Sequence, residues 1–413
     1  MAALATAPPL LVRARALVTC DSDAPQQGVT FADLGLVENG AILVRDGRIV
    51  ALGERETVER AAAGVDCALL DLSDTVLVPG FVDAHTHPLF SGNREPDFRA
   101  RQRHEAAPLG MLYTVDRTRE ALLAPERFWR DDVTARLAAM LAHGTTTAEV
   151  KTGYALHRPG ELELLDLSVR AHSDESLPRI VPTFLGAHAL PPEFADADGY
   201  VDYLIDQCLP FARAHGARYA DAFCEPGFFS AAQTQRYLEA ARSHGLRLRV
   251  HCDEMQHGGA ASMALALGVD AIDHGNYITD DDTRRLGEGE SVLVACPATI
   301  DYLGLQRHAP VRAVLERGGH VALASDFNPG TSPCLNLAHV AYLGRKIFGL
   351  SAAEALDAVT RQAARSLQIA RGTLRVGGDA DFVALRIEDP NEFGWMHGGN
   401  IAATVVRAGR VLK

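Results

Sequence analysis

The sequence has no paired-cysteine motif, no block of basic residues and no uncharged apolar run of membrane-spanning length. Each absence removes a class of protein. Its 7 cysteines (Cys20, Cys67, Cys208, Cys224, Cys252, Cys296 and Cys334) are scattered, with no C-x-x-C pair. That argues against a disulfide framework and against a thiolate zinc site. The balance of 40 Lys and Arg against 53 Asp and Glu gives a formal charge of −13. A phosphate-rich partner needs a basic surface, so neither nucleic acid nor an anionic membrane is expected. Pro8, Pro9, Arg13 and Arg15 interrupt the first twenty residues, which suit neither a secretion signal nor a span. The expected compartment is the cytoplasm. H-E-x-x-H, G-x-S-x-G, G-x-G-x-x-G and the P-loop are all missing, which sets aside zincin, serine-hydrolase, dinucleotide and nucleotide-triphosphate chemistry.

What is present is the composition of an ordinary globular enzyme, 47% hydrophobic and 23% charged. A length of 413 residues accommodates one large domain and a smaller companion. Residues 40–53, GAILVRDGRIVALG, are two apolar runs joined by Asp46-Gly47, a tight-hairpin signal. Similar strand-like runs return at 380–386 and 403–413, the latter turning at Gly409. The reading is a small β-sandwich domain built discontinuously from 1–75 and 377–413, since neither half buries its apolar face alone. Between them, 76–376 alternates strand-like and helix-like segments. The strand-like runs lie at 76–85, 145–151, 179–188, 220–225, 246–254, 271–275, 291–299 and 320–330. Eight such units predict a (β/α)₈ barrel.

Nearly every run is apolar through its body and ends in His, Asp, Glu or Lys. The C-terminal rim of a parallel barrel is where catalytic side chains sit, held by strands while loops vary. His85 and His87 end the first run as H-x-H, and positions i and i+2 of a strand share a face. Alone the pair is weak, since 16 histidines give roughly 0.6 such matches by chance. Its place at a strand end, together with His251 closing the fifth run and Asp326 the eighth, makes it a candidate site for one divalent metal. Three neutral imidazoles and a carboxylate suit Zn²⁺ or iron as Fe²⁺/Fe³⁺. Lys151 closes the second run and is read as a structural ion-pair former. Cys224 and Cys252 are read as small core residues. His257 is a candidate for the site wall or for a surface helix start, and His143, His172, His215 and His339 are expected on solvated helix faces.

At this point the chain resembles the imidazolonepropionases of the amidohydrolase superfamily. The stretches that carry the resemblance include PGFVDAHTHPLFSGNRE (79–95), HGTTTAEVKTGY (143–154), TFLGAHALPPEF (183–194), DAFCEPGFFS (221–230), HCDE (251–254), DHGNY (273–277) and SDFNPGTSP (325–333). The resemblance implies metal ligands His85, His87, His251 and Asp326. It implies substrate contacts at Arg94, Tyr154, His188, Glu254, Asn328, Gly330 and Thr331, with His274 beside the metal. It implies hydrolysis of 4-imidazolone-5-propanoate, a small molecule with a carboxylate tail, to N-formimidoyl-L-glutamate in histidine degradation, and a homodimer. Catalytic roles fall to Glu254, His274 and Asp326, with the principal base left open between Glu254 and His274. Arg94 is expected to grip the tail, and the Asn328 amide with the Gly330 N–H the other end of the substrate.

Two places depart from the family pattern. At 105–119 a covering loop is expected, but it carries Pro108 and only Gly110 where the family is Gly-rich; at 295–304 the seventh run ends in ACPATIDYLG. The alternative reading is therefore a related amidohydrolase or deaminase acting on a modified imidazolone or another nitrogen heterocycle. An inactive scaffold would have lost ligands, and all four are present.

Overall fold

The computed structural model describes residues 8–413, so seven of the first twenty residues read above lie outside the described residues. The described chain opens with β1 (Leu10–Val18), β2 (Leu36–Glu38), β3 (Gly40–Arg45), β4 (Arg48–Glu54) and β5 (Ala68–Pro79). Eight further strands follow: β6 (Phe81–Asp83), β7 (Thr145–Lys151), β8 (Arg179–Ala187), β9 (Tyr219–Cys224), β10 (Arg247–Cys252), β11 (Ala271–His274), β12 (Val292–Ala295) and β13 (His320–Leu323). β14 (Phe382–Leu385), β15 (Ala402–Arg407) and β16 (Arg410–Val411) end the chain.

The strands from both ends join one continuous sheet in the order β16-β15-β14-β5-β1-β3-β4, with β2 on β1. The far end returns by pairing β14 antiparallel to β5, Phe382 opposite Pro79. Asp46 and Gly47 take φ of 50° and 73°, the left-handed pair that a two-residue hairpin between β3 and β4 requires. Val12, Ile42, Leu77, Phe382 and Val406 give this sheet an apolar core of its own.

β6 to β13 lie side by side in chain order, all parallel. Helices such as Arg158–Ser173, Ala231–Ser243 and Asp280–Glu288 connect them, which makes a (β/α)₈ barrel. β6 and β13 meet only at their C-terminal ends, through a Thr86–Phe327 bridge and the bonds Asp326 N to His85 O (3.0 Å) and His87 N to Phe327 O (2.8 Å). Closing the ring therefore sets His85, His87 and Asp326 side by side. β5 leads into β6 through Gly80, where any side chain would run into Thr146, so the terminal sheet anchors the first barrel strand.

Two stretches differ from expectation. The seventh run stops at Ala295, and Pro297 opens a short helix, Pro297–Leu303, the position at which proline's fixed φ and missing N–H cost nothing. The expected loop at 105–119 is loop only to Leu109. Residues Gly110–Ala121 form a helix, because past Gly110 the segment holds no further Gly or Pro. Among the described residues no helix is long and apolar enough to cross a membrane, and all 7 cysteines are free.

Candidate metal centre and active site

Four side chains from three strand ends converge at the C-terminal rim of the barrel. His85 Nε2 lies 3.1 Å from His87 Nε2, which lies 3.3 Å from His251 Nε2. Asp326 Oδ1 stands 3.4 Å from both His85 Nε2 and His87 Nε2. All four are buried. The other polar atoms of His85, His251 and Asp326 set how each presents itself to the cluster. His85 Nδ1 is 2.8 Å from Asp273 Oδ2, so that nitrogen carries the proton and Nε2 is a bare lone pair. His251 Nδ1 lies 3.0 Å from Asp221 Oδ2, off the line of a good hydrogen bond, and the same tautomer follows. Thr299 Oγ1 donates to Asp326 Oδ2 at 2.6 Å, which leaves Oδ1 facing the histidines. Burial pushes His85 down to about 3 and His87 to about 4, so both rings are neutral. Lone pairs and a carboxylate oxygen this close repel one another unless a cation lies among them. The donor set fits a divalent metal.

Glu254 and His274 adjoin this cluster. Glu254 Oε2 is 3.7 Å from His274 Nε2, and oxygen or nitrogen atoms of Glu254, His274 and Asp326 all lie within 4.8 Å of one another. Burial raises the Glu254 carboxyl above the ordinary range against the pull of His274. Burial alone would lower His274, but the charges of Glu254 and Asp326 outweigh it and hold it above the ordinary histidine value. A carboxyl and an imidazole thus face each other, each favouring the charged form of the other. His274 and Asp326 take left-handed φ of 69° and 49°, conformations that cost about 1–3 kcal/mol each and concentrate at functional sites.

Around the cluster, His188 stacks on His87 at 5.3 Å between centroids, and Tyr154 stands edge-on to both rings. His188 Nδ1 donates to Gly153 O at 2.9 Å. Its Nε2 is thus a bare acceptor rather than a donor. The 328–331 loop is closed on itself. Gly330 N and Thr331 N both donate to Asn328 Oδ1 at 2.8 Å, and Asn328 Nδ2 donates to Asp326 O and Thr331 Oγ1. The Asn328 amide and the Gly330 N–H, expected free for substrate, are engaged with each other. Arg94 donates from Nε to Asp97 at 2.7 Å, with its guanidinium packed against Gly330.

The model of the Amidohydrolase family matches residues 76–412. The imidazolonepropionase of Geobacillus kaustophilus is 36% identical over 98% of each chain, and that of Rubrobacter xylanophilus 39% identical over 96% of each. The chain is an amidohydrolase of the imidazolonepropionase family. Solved structures share its fold at low identity. Escherichia coli guanine deaminase superposes with a TM-score of 0.71 at 17% identity, covering 98% of this chain and 99% of that one. A zinc-bound adenosine deaminase of Xanthomonas campestris gives 0.69 at 20%, covering 97% and 92%. This amidohydrolase is a metal-dependent hydrolase of cyclic amide bonds.

Beneath the rim lies a layer that sequence reading identified only at Lys151. Lys151 Nζ reaches Glu149 at 2.8 Å, Asp221 at 2.7 Å and Asp273 at 3.5 Å. Arg249 grips both oxygens of Asp273 at 3.0 and 2.8 Å and donates to Ala84 O at 2.7 Å. All five side chains are fully buried. The signal was available: Arg249 and Asp273 are charged residues inside apolar runs, and Arg249 lies two residues before His251, on the same strand face. Thr299 carried no signal beyond its place after the seventh strand. His257 is exposed and stands outside the site. His143, His215 and His339 are half-buried rather than solvated, His339 stacking on Tyr342, whereas His172 is exposed as expected, with Nδ1 against the backbone of Ile180. A cavity of about 530 Å³ opens at the opposite end of the barrel beside Arg179 and Arg371, which pair with Asp379, and no residue of the rim lines it.

Proposed function

We propose that this amidohydrolase opens 4-imidazolone-5-propanoate to N-formimidoyl-L-glutamate at a single divalent metal, Zn²⁺ or iron, held by His85, His87, His251 and Asp326. One observation carries the reading: a chain matched end to end by imidazolonepropionases converges three imidazoles and a carboxylate beside a facing Glu–His pair and a half-buried arginine. The metal supplies Lewis acidity, lowering the pKa of water toward neutrality and polarising a carbonyl.

The rest falls to the chain's own residues. Water adds to the ring carbonyl carbon, the adjacent ring C–N bond breaks, and the leaving nitrogen takes a proton. Asp326 Oδ1 accepts the proton of the attacking water, its other oxygen fixed by Thr299. Glu254 hands a proton to the leaving nitrogen, and His274 beside it bears the charge between steps. His188 accepts a ring N–H at its bare Nε2. Arg94 offers the outer end of its fork to the propionate, and the Tyr154 hydroxyl supports it.

The test is an ultraviolet absorbance assay of the metal-loaded protein with freshly generated imidazolone propionate, the product confirmed by mass spectrometry. Metal-dependent loss of the chromophore with formation of formiminoglutamate is expected. No turnover by folded protein carrying one metal per chain would sink this substrate and turn the search to substituted imidazolones and other nitrogen heterocycles.

A further inference from the structure

The guanidinium of Arg94 does not stand alone. Asp97, one helical turn on and wholly buried, accepts Arg94 Nε on Oδ2 at 2.7 Å. The same carboxylate accepts the backbone N–H of Leu109 on Oδ1 at 2.8 Å and that of Gly110 on Oδ2 at 3.1 Å. One side chain thus ties the arginine to the far end of the exposed 103–109 segment, the stretch in which this chain departs from its family. The helix that carries Asp97 (Glu95–Gln102) is itself anchored to the site, because Arg101 Nη2 donates to Gly330 O at 2.7 Å. Arg94 therefore sits between a fixed helix and the closed 328–331 loop, with its Nε committed and its Nη1–Nη2 end hydrogen-bonded to no carboxylate among the described residues.

A guanidinium offers five N–H groups in a rigid fork. Occupying Nε fixes the plane of the fork and leaves the two terminal nitrogens as the only bidentate edge. We propose that Asp97 is a positioning residue that aims this edge of Arg94 at the substrate's carboxylate tail and pins the 103–109 segment beside it. Selectivity for a tailed ring is then set jointly by the arginine and the loop. The inference rests on the reading of Arg94 as the tail-binding residue.

Asp97→Asn keeps the size of the side chain but replaces one acceptor oxygen by a donor, so it cannot satisfy Arg94, Leu109 and Gly110 together. The experiment measures kcat and KM for Asp97→Asn, Arg94→Ala and the double variant. It uses imidazolone propionate and an imidazolone carrying ethyl in place of the propionate. Asp97→Asn is expected to raise KM for the tailed substrate about tenfold, the loss of one well-aimed charge-assisted contact, with a much smaller change in kcat. For the tail-less substrate kcat/KM should stay within about twofold. The double variant should be no worse than Arg94→Ala, because the two residues act as one unit. Trypsin should also cut the folded Asp97→Asn protein faster at Arg103. Equal losses on both substrates, or additive effects in the double variant, would show Asp97 to be merely structural and overturn the proposal. If Arg94→Ala fails to discriminate the two substrates, the tail-binding role of Arg94 falls, and this inference falls with it.

Discussion

The rim of the barrel and the layer directly beneath it are both fully buried and both crowded with ionisable groups, yet they solve opposite problems. In the lower layer every charge faces its opposite: Lys151 and Arg249 against Glu149, Asp221 and Asp273. In the rim, bare imidazole nitrogens and a carboxylate oxygen face one another at 3.1 to 3.4 Å. A burial cost that the lower layer offsets internally is left open above it, and a cation bound among these atoms closes it. The two regions are also coupled. Asp221 and Asp273 belong to both, each facing a cation below and a histidine of the rim above. Three carboxylates against two cations leave the lower layer one negative charge in excess, which favours a cation in the rim. Buried charge is thus a scaffold in one layer and an instrument in the next, and the difference lies in whether partners are complete.

The sharpest break between the two regions is a substitution that touches chemistry and spares structure. Glu254→Gln keeps the shape of the rim while removing the carboxyl proposed to carry the proton. It should leave metal content intact by elemental analysis while kcat falls about 10²–10⁴-fold. Turnover near wild type would remove Glu254 from the mechanism and leave His274 as the acid–base group. The converse substitution strikes the scaffold. Lys151→Met leaves three carboxylates facing Arg249 alone, and breaking a buried pair in this way costs about 3–5 kcal/mol. Denaturant unfolding of the metal-free protein should show that loss at pH 7. The gap should narrow in acid. Burial alone would raise Asp221 and Asp273, but the neighbouring positive groups, Lys151 among them, hold both below the ordinary range. A carboxylate with a depressed pKa contributes stability that is present above its unfolded value of about 3.9 and is lost as pH falls toward the folded one. A variant as stable as wild type at pH 7 would mean that the lysine is dispensable to the layer.

The two regions also differ in how well the sequence exposes them. The four residues of the candidate metal site were legible because strand periodicity and position at the ends of apolar runs are one-dimensional signals. The barrel was legible for the same reason, since eight alternating units leave few other topologies. What stayed hidden depends on pairing across the barrel. Asp273 meets Arg249 from a neighbouring strand and His85 from an opposite one, and no spacing along the chain reports that. The free Asn328 and Gly330 groups were misjudged because a short loop rich in donors and acceptors satisfies itself first. The loop expected at 105–119 comes from the family's pattern, whereas the local sequence past Gly110 favours helix.

The gentlest probe works at the seam where the rim depends on a neighbour that carries no charge at all. Thr299 is fully buried at the start of the short helix after β12, and its hydroxyl holds the Asp326 oxygen that does not face the histidines. Thr299→Val keeps the branched shape and deletes that one donor. No charge changes in either layer, so stability should move by only about 1 kcal/mol, the scale of a single hydrogen bond. The effect should appear instead in the metal. With Oδ2 released, Asp326 swings more freely, and affinity measured by competition with a chelator should fall about tenfold, the low end for groups that orient a ligand. An unchanged affinity would mean that backbone closure between Asp326 and His85 alone fixes the carboxylate. In that case the rim would be pre-organised by the fold itself, as the layer beneath it is by its charges.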